Sequence, residues 1–529
     1  MLWFLLSLAL FFPWACDVAL GSQNDSNDTK YLPAPKAQDA EAGLWQNLPD
    51  SSTHKKKKNV LRATWEIAGL LGLAQGLYYV FEEASHADWD YTLEDFPERL
   101  TTWQHWKMDD NRESFNITHV YSGSLPYVVA RSNGLTIFES YFATLIFSSI
   151  WEIAAEYREV VAINDQIVTT MGGAALGETL YQMGQMLRQR PGMITQGFAT
   201  LLDPIGTLNY WLDGRAHPYS DRRAQTEQHA AFSAHLGYAL TQGEDGRGHG
   251  ASQPHLFMFG VRGLMGNAGV NAPGIDQKWH NGVVVSQLLV QAKFSTENLE
   301  DFYALSRNVL AGYYKKEITI DANSQRQGYS LLVGPANGIE YRSQQNGGQT
   351  DWYGVFNVLG VALEFNFFRN GFHVHYNTDI FGNFALITPF ALDMQVVSDT
   401  DLQRISSVMA HDKYNYATGY TINQEFTLSK SGWQIGALLR YTMFYGLNYR
   451  NLDRFPERII KEADVKDSAL NIKFWIEKQI SKRSKIRTEI EVVSREGKMQ
   501  WWVDRLQEKS LQDEDWIPAF MLTFEQEIL

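Results

Sequence analysis

The period of the hydrophobic positions changes once along the chain. From about residue 59 to 225 they recur at helical spacing, and after about 229 they alternate with polar positions. Within the first stretch, residues 60–83 carry a 15-residue uncharged core from Ile67 to Phe81, short for a bilayer span and suited to a buried or interfacial helix. Further helices are predicted over 135–157 and about 165–187, the latter stopped by Pro191-Gly192. A short apolar piece, 193–202, follows before Asp203-Pro204.

The second stretch reads as strands with one apolar and one polar face. Val361, Leu363, Phe365 and Phe367 oppose Glu364 and Asn366; His373, His375, Asn377 and Asp379 oppose Val374, Tyr376, Thr378 and Ile380. The same alternation continues to Phe520, Leu522 and Phe524 against Thr523, Glu525 and Glu527. A soluble sandwich also alternates, but its connections are short at both ends. Here tight turns at 369–371, 429–432 and 481–484 alternate with long connections at 394–417, 447–467 and 497–518. Short turns on one side and long loops on the other are the mark of an outer-membrane barrel. About twelve strands are expected, a parity that puts both barrel ends in the periplasm. The predicted class is α+β, an N-terminal helical module followed by an antiparallel transmembrane barrel, with the module plugging the lumen or docking at its periplasmic mouth.

Composition sharpens this. Charged residues are 20% and aromatics 13% of 529 residues, yet no apolar run of 18 follows the N-terminus, as expected for a wall that spreads its lipid face over alternate positions. A net charge of −14 with no basic stripe excludes a general nucleic-acid binder. Residues 1–21 read as a secretory leader with Ala19 and Gly21 before Ser22, although no basic residue precedes the apolar run. Cys16 is the one cysteine; Pro13-Trp14-Ala15 before it is a poor lipidation signal, and cleavage after Gly21 leaves a mature chain without thiols. Residues 22–58, polar and ending in the lysine run 55–58, read as a disordered tether.

The segment 119–187 carries a resemblance. His119-Val-Tyr-Ser-Gly123, Ala130-Arg131-Ser-Asn133-Gly134, Trp151-Glu152, Asn164-Asp165 with Thr169, Gly172-Gly173 and Gly177-Glu178 resemble, over roughly 100–215, the uncharacterised bacterial family catalogued as domain-of-unknown-function family 3943. The resemblance implies an envelope protein with a helical module ahead of a barrel and carries no established activity. The chain ends in Leu529, where outer-membrane barrels commonly end in an aromatic residue.

Several constellations could carry chemistry. Ser140, Thr144, Ser148, Glu152 and Glu156 are each four apart and make one polar stripe on an apolar helix. The stripe meets water or the lumen, or else Glu152 and Glu156 face Asn164, Asp165, Thr169 or Glu178 in a buried acid–base site. Gly173, Gly177 and Gly184 have the spacing of a close helix crossing, and no lysine follows to make a phosphate loop. Asn164 is placed as an N-cap with Asp165 in the first turn. His373 and His375 could hold a metal but lack a third ligand, so a lumen-lining role is expected. Ser233 and His235 share an inferred lumen face and are candidates for lipid hydrolysis or acyl transfer, though parallel on one strand with no third partner. Ser132-Asn133-Gly134 is similar to a step in outer-membrane phospholipases, without the histidine before it. No dinucleotide, zinc-protease or serine-hydrolase motif is present, and no cofactor is expected. The expected partners are outer-membrane lipids and the barrel-assembly machinery. The functions left open are an envelope-structure, transport or lipid-handling barrel, an outer-membrane lipid-modifying enzyme, and a soluble periplasmic lipid binder.

Overall fold

The computed structural model describes residues 58–81, 94, 96–102, 106–108, 113–156, 161–188, 192–213, 228–241, 254–267, 271–346, 349–393, 409, 413–447, 463–504 and 507–528. The expected leader, and the expected tether except Lys58, lie outside these residues.

The alternating segments form one antiparallel sheet of 14 strands, of which 12 close into a barrel. In order around the wall these are β3 (Gln228–Thr241), β4 (His255–Asn267), β6 (Val285–Phe294), β7 (Leu299–Val309), β9 (Arg326–Asn346), β10 (Gln349–Arg369), β11 (Phe372–Ile387), β12 (Asn415–Lys430), β13 (Trp433–Gly446), β14 (Asp464–Gln479), β15 (Ser484–Asp504) and β16 (Gln507–Glu527), with β16 paired back to β3. The other two, β5 (Gly274–His280) and β8 (Gly312–Ile320), continue β6 and β7 beyond irregularities, so that β8 still runs along β9. Two-residue turns close β10–β11 at Asn370-Gly371 (φ 50 and 75°) and β12–β13 at Ser431-Gly432 (φ 51 and 75°). Positive φ at both positions gives the turn a twist that matches the strands. Long connections at the opposite end run from 388 to 414 and from 447 to 463. The third expected loop, 497–518, is instead strand: β15 and β16 stay paired from Ser484↔Gln526 to Asp504↔Gln507. Its charges alternate with Trp501, Trp516 and other apolar residues, so it is a hairpin rising beyond its neighbours.

Closure turns the polar faces inward. Arg342 on β9 reaches Asp301 at 2.7 Å and, across the barrel, Glu491 at 3.4 Å; Lys293 and Lys473 bind the same Glu491 at 2.8 and 3.1 Å. Arg307 pairs with Asp379 at 2.7 Å, Arg440 with Glu340 at 2.5 Å and Arg495 with Asp351 at 2.9 Å. Towards the long-connection end the interior becomes apolar: Tyr353, Val355, Ile387, Phe444, Val465, Met499 and Trp501 pack with Leu392 and Met409 from the 388–414 connection. The outer face carries Leu236, Phe257, Ile380, Phe426, Ile435, Phe474, Ile490 and Leu522, all exposed. An apolar exterior around a polar interior is the inverse of a soluble sandwich and is the pattern of a membrane barrel.

The helices are α1 (Val60–Phe81), α2 (Phe96–Thr101), α3 (Glu113–Ser132), α4 (Ile137–Ile150), α5 (Ile163–Ile167), α6 (Gly173–Arg188), α7 (Met193–Leu202), α8 (Pro204–Leu212) and the short α9 (Phe390–Asp393). Two π-helical turns, Trp151–Ala155 and Val168–Gly172, follow α4 and join α5 to α6. A short parallel pair, β1 (Trp106–Lys107) and β2 (Val161–Ala162), ties the ends of this region together. None of the described helices is long and apolar enough to cross a membrane. Asn164 is not an N-cap: Ala162 holds that position, and Asn164 lies inside α5.

The helical module contacts the outer face of the wall through α3, α6 and the second π-turn, whereas α9 lies inside the barrel with the interior cluster. On β7, Arg307 points inward to Asp379, so its neighbours Ser306 and Asn308 point outward. Those outward side chains bind α6: Asn308 Nδ2 donates to the Ala175 carbonyl at 2.9 Å, and Thr179 Oγ1 lies 2.6 Å from Ser306 Oγ. Met183, Met186 and Leu187 pack with the outward Phe232 and Met265, and Val120 and Val168 with Trp352, Phe356, Phe384 and Tyr416. Of the two expected positions, lumen plug or periplasmic mouth, the plug does not fit these contacts, which run along the outer wall from β3 to β12.

Candidate functional site

Helices α3 and α6 cross with backbone in contact. A Cβ on Gly123 would lie 1.9 Å from the Thr169 carbonyl oxygen, and one on Gly173 would lie 2.6 Å from the Gly123 carbonyl carbon. Only glycine fits at either place. Because residues four apart share a helix face, this crossing fixes a ladder. His119, Gly123, Tyr127 and Arg131 face Asp165, Thr169, Gly173 and Gly177 with Glu178.

At one end of the ladder His119 Nε2 stands 3.6 Å from Asp165 Oδ2. Asn164 Nδ2 donates to the other Asp165 oxygen at 2.9 Å. Glu152 enters from the π-turn after α4, its Oε2 accepting the Ala162 N–H at 3.2 Å. One donor atom from each of His119, Glu152 and Asp165 lies within 4.8 Å of the others. Both carboxylates are 1% exposed. Ser140, Thr144 and Ser148 precede Glu152 on the same face and are equally buried, so the predicted stripe points into the module. Glu156 does not join it. The wider π-turn breaks the four-residue spacing after Glu152 and leaves Glu156 half-buried outside the cluster.

Glu178 closes the other end. Its carboxylate accepts from Tyr127 Oη at 2.7 Å, Arg131 Nε at 2.8 Å and Gln182 Nε2 at 2.5 Å. Tyr127 lies eight residues from His119, roughly 12 Å along the helix, so Glu178 does not converge with Glu152 and Asp165. The remaining motif positions shape the bundle. Gly134 (φ 82°) ends α3, Asn133 donates to Glu66 at 2.6 Å, Trp151 meets the Tyr78 ring edge-on, and Gly172 lets the second π-turn approach Phe356 of the wall.

The other candidates lie inside the barrel. Ser233 Oγ donates to Glu525 Oε1 on the next strand at 2.7 Å, so its partner is a carboxylate and not His235. His235 lines a cavity of about 120 Å³ with Arg262, Gln291, Arg307, Arg487 and Glu525. His373 and His375 both meet Asn366 Oδ1, at 2.9 and 3.0 Å. The sequence reading missed Tyr127 as the partner of Glu178. Its spacing of eight from His119 and four from Arg131 was the available signal.

No curated protein matches the sequence. Solved outer-membrane barrels match weakly. A loop-deletion form of OmpT from Vibrio cholerae is 8% identical, covering 57% of this chain and 99% of that one at a TM-score of 0.20. The COG4313 outer membrane channel from Pseudomonas putida F1 is 9% identical, covering 56% and 95% at a TM-score of 0.25. Both are likenesses of fold alone. Residues 105–205, which contain His119, Glu152, Asp165 and Glu178, match the model of the DUF3943 family, a domain of unknown function.

Proposed function

We propose that the chain is an integral barrel of a Gram-negative outer membrane that holds a lipid-embedded helical module, and that this module handles membrane lipid. One observation carries the reading: the module is apolar outside and polar inside. Phe138 and Trp65 are 70% and 71% exposed, with Leu73, Phe142, Ile146 and Ile150 also exposed, while Ser140, Thr144, Glu152, Asn164, Asp165 and Glu178 are buried. In water such a surface would aggregate; against hydrocarbon it is at home. Ionisable groups buried at that depth are costly to keep and mark functional sites by default. The polar pairs Lys58–Glu139 (2.6 Å) and Arg62–Asp213 (2.6 Å) support a headgroup position for their end of the module. Ion pairs across the lumen and the apolar cluster at one end argue against an open diffusion pore. Lipids are the partners this surface fits, and insertion would use the barrel-assembly machinery after export by the N-terminal leader.

Lipid mass spectrometry on a deletion strain tests the reading. The deletion should alter the outer-membrane lipid profile. Wild type and His235→Ala should restore it, and Glu152→Gln should not. An unchanged profile in the deletion strain contradicts lipid handling, and full rescue by Glu152→Gln moves it away from this cluster.

A further inference from the structure

From the convergence of one imidazole and two buried carboxylates we infer that His119, Glu152 and Asp165 form a binding site for a divalent transition-metal ion inside the helical module. The inference does not depend on what the module acts on.

One nitrogen and two oxygens make a donor set suited to ions such as Zn²⁺ or Mn²⁺, and three protein ligands leave positions open for water or substrate. Ligand atoms about 2.0–2.2 Å from a tetrahedral ion stand roughly 3.3–3.6 Å apart. Donor atoms within 4.8 Å of one another therefore close on an ion with side-chain movements of about 1 Å. Each ligand is already oriented by a neighbour, as metal ligands are. Ala162 N–H holds Glu152 Oε2, and Asn164 Nδ2 holds Asp165 Oδ1. The Gly123–Gly173 crossing fixes His119 opposite Asp165.

Two further observations bear on the site. Glu152 lies in one π-helical turn and Asp165 in the short helix leading into the other, a helix distortion concentrated at functional sites. Ser148 lies one turn before Glu152 on the same face, and its buried hydroxyl has no hydrogen-bond partner among the described residues. A metal-bound water would give it one. The His119 side chain, 15% exposed, marks the side from which an ion enters.

The test uses the full-length protein, refolded or extracted in detergent, stripped with chelator and titrated with Zn²⁺ or Mn²⁺. One ion per chain is expected. Glu152→Gln with Asp165→Asn should abolish stoichiometric binding. Asn164→Ala should weaken it by about 10- to 100-fold, the usual effect of losing a partner that orients a ligand. The exposed control Glu139→Gln should bind as wild type does. Because a ligand variant can fail through misfolding, His119→Cys loaded with Co²⁺ adds a positive readout. A sulfur-to-cobalt charge-transfer band appears only if residue 119 is a ligand. Equal binding by wild type and the double variant, or a cobalt-loaded His119→Cys protein without that band, overturns the site.

Discussion

At the scale of single residues, the module turns on two places where one side chain decides the geometry. The first is Gly123. Its missing Cβ lets the Thr169 carbonyl approach where an alanine methyl would sit at 1.9 Å, and a backbone carbonyl has no rotamer by which to withdraw. Gly123→Ala should destabilise the module by about 1–3 kcal/mol, the usual range for overpacking, and should separate His119 from Asp165. Denaturant melts followed by near-ultraviolet dichroism would register the first effect. An unchanged melt would mean that the helices do not cross at this point. The second place is Glu178, fully buried between Tyr127, Arg131 and Gln182. Glu178→Ala leaves Arg131 without its carboxylate and should cost roughly 3–5 kcal/mol. Because it lies at the far end of the ladder, any folded fraction should retain metal binding. Loss of binding without loss of fold would join the two ends into one site.

Elements were legible in proportion to how far local pattern agreed with tertiary role. The barrel strands were readable because a polar lumen and an apolar exterior impose a strict period of two. Asp379, Asn423, Arg440 and Glu491 all face inward as their alternation requires. Helix α3 was not readable: Ser122, Gly123, Ser124 and Pro126 are poor helix residues, and Pro126 removes one backbone bond. Tertiary packing overrides them, since the small residues are what lets α6 approach. The inward stripe of α4 was readable by spacing, but the π-turn that holds Glu152 and sheds Glu156 leaves no mark in a four-residue count. Alternation could not show which inward residues pair across the barrel. Those pairs form the mid-barrel layer, where Glu491 gathers Lys293, Lys473 and Arg342. Removing one charge from that cluster should be costly. Glu491→Gln should lower the temperature at which the barrel loses heat-modifiable gel mobility, with a loss of about 3–5 kcal/mol. A variant as heat-resistant as wild type would show that the layer contributes little.

At the scale of the whole molecule, the barrel and the helices exchange their expected roles. Among the described residues the lumen is crossed by ion pairs between its own strands and narrowed by Leu392 and Met409 of a connection, with a cavity of about 120 Å³ between strands, while the module's helices cover the wall. Purified protein in planar bilayers should therefore show no stable open conductance, and a steady ohmic pore would contradict a lumen obstructed in this way. In the proposed lipid setting the apolar faces would gain nothing from leaving water, so close packing and outward polar contacts such as Asn308 to Ala175 and Thr179 to Ser306 would hold the module to the wall. Membrane placement of α4 is thus the claim on which the account rests, and the chain offers a clean probe because Cys16 is its one cysteine. Nitroxide labels at Phe142→Cys and Ile146→Cys, read by electron paramagnetic resonance in native outer membranes, compare access to oxygen with access to a water-soluble nickel chelate. Strong relaxation by oxygen and almost none by the chelate at both positions is the predicted result; ready access by the chelate at both would place the helix in water and contradict the account.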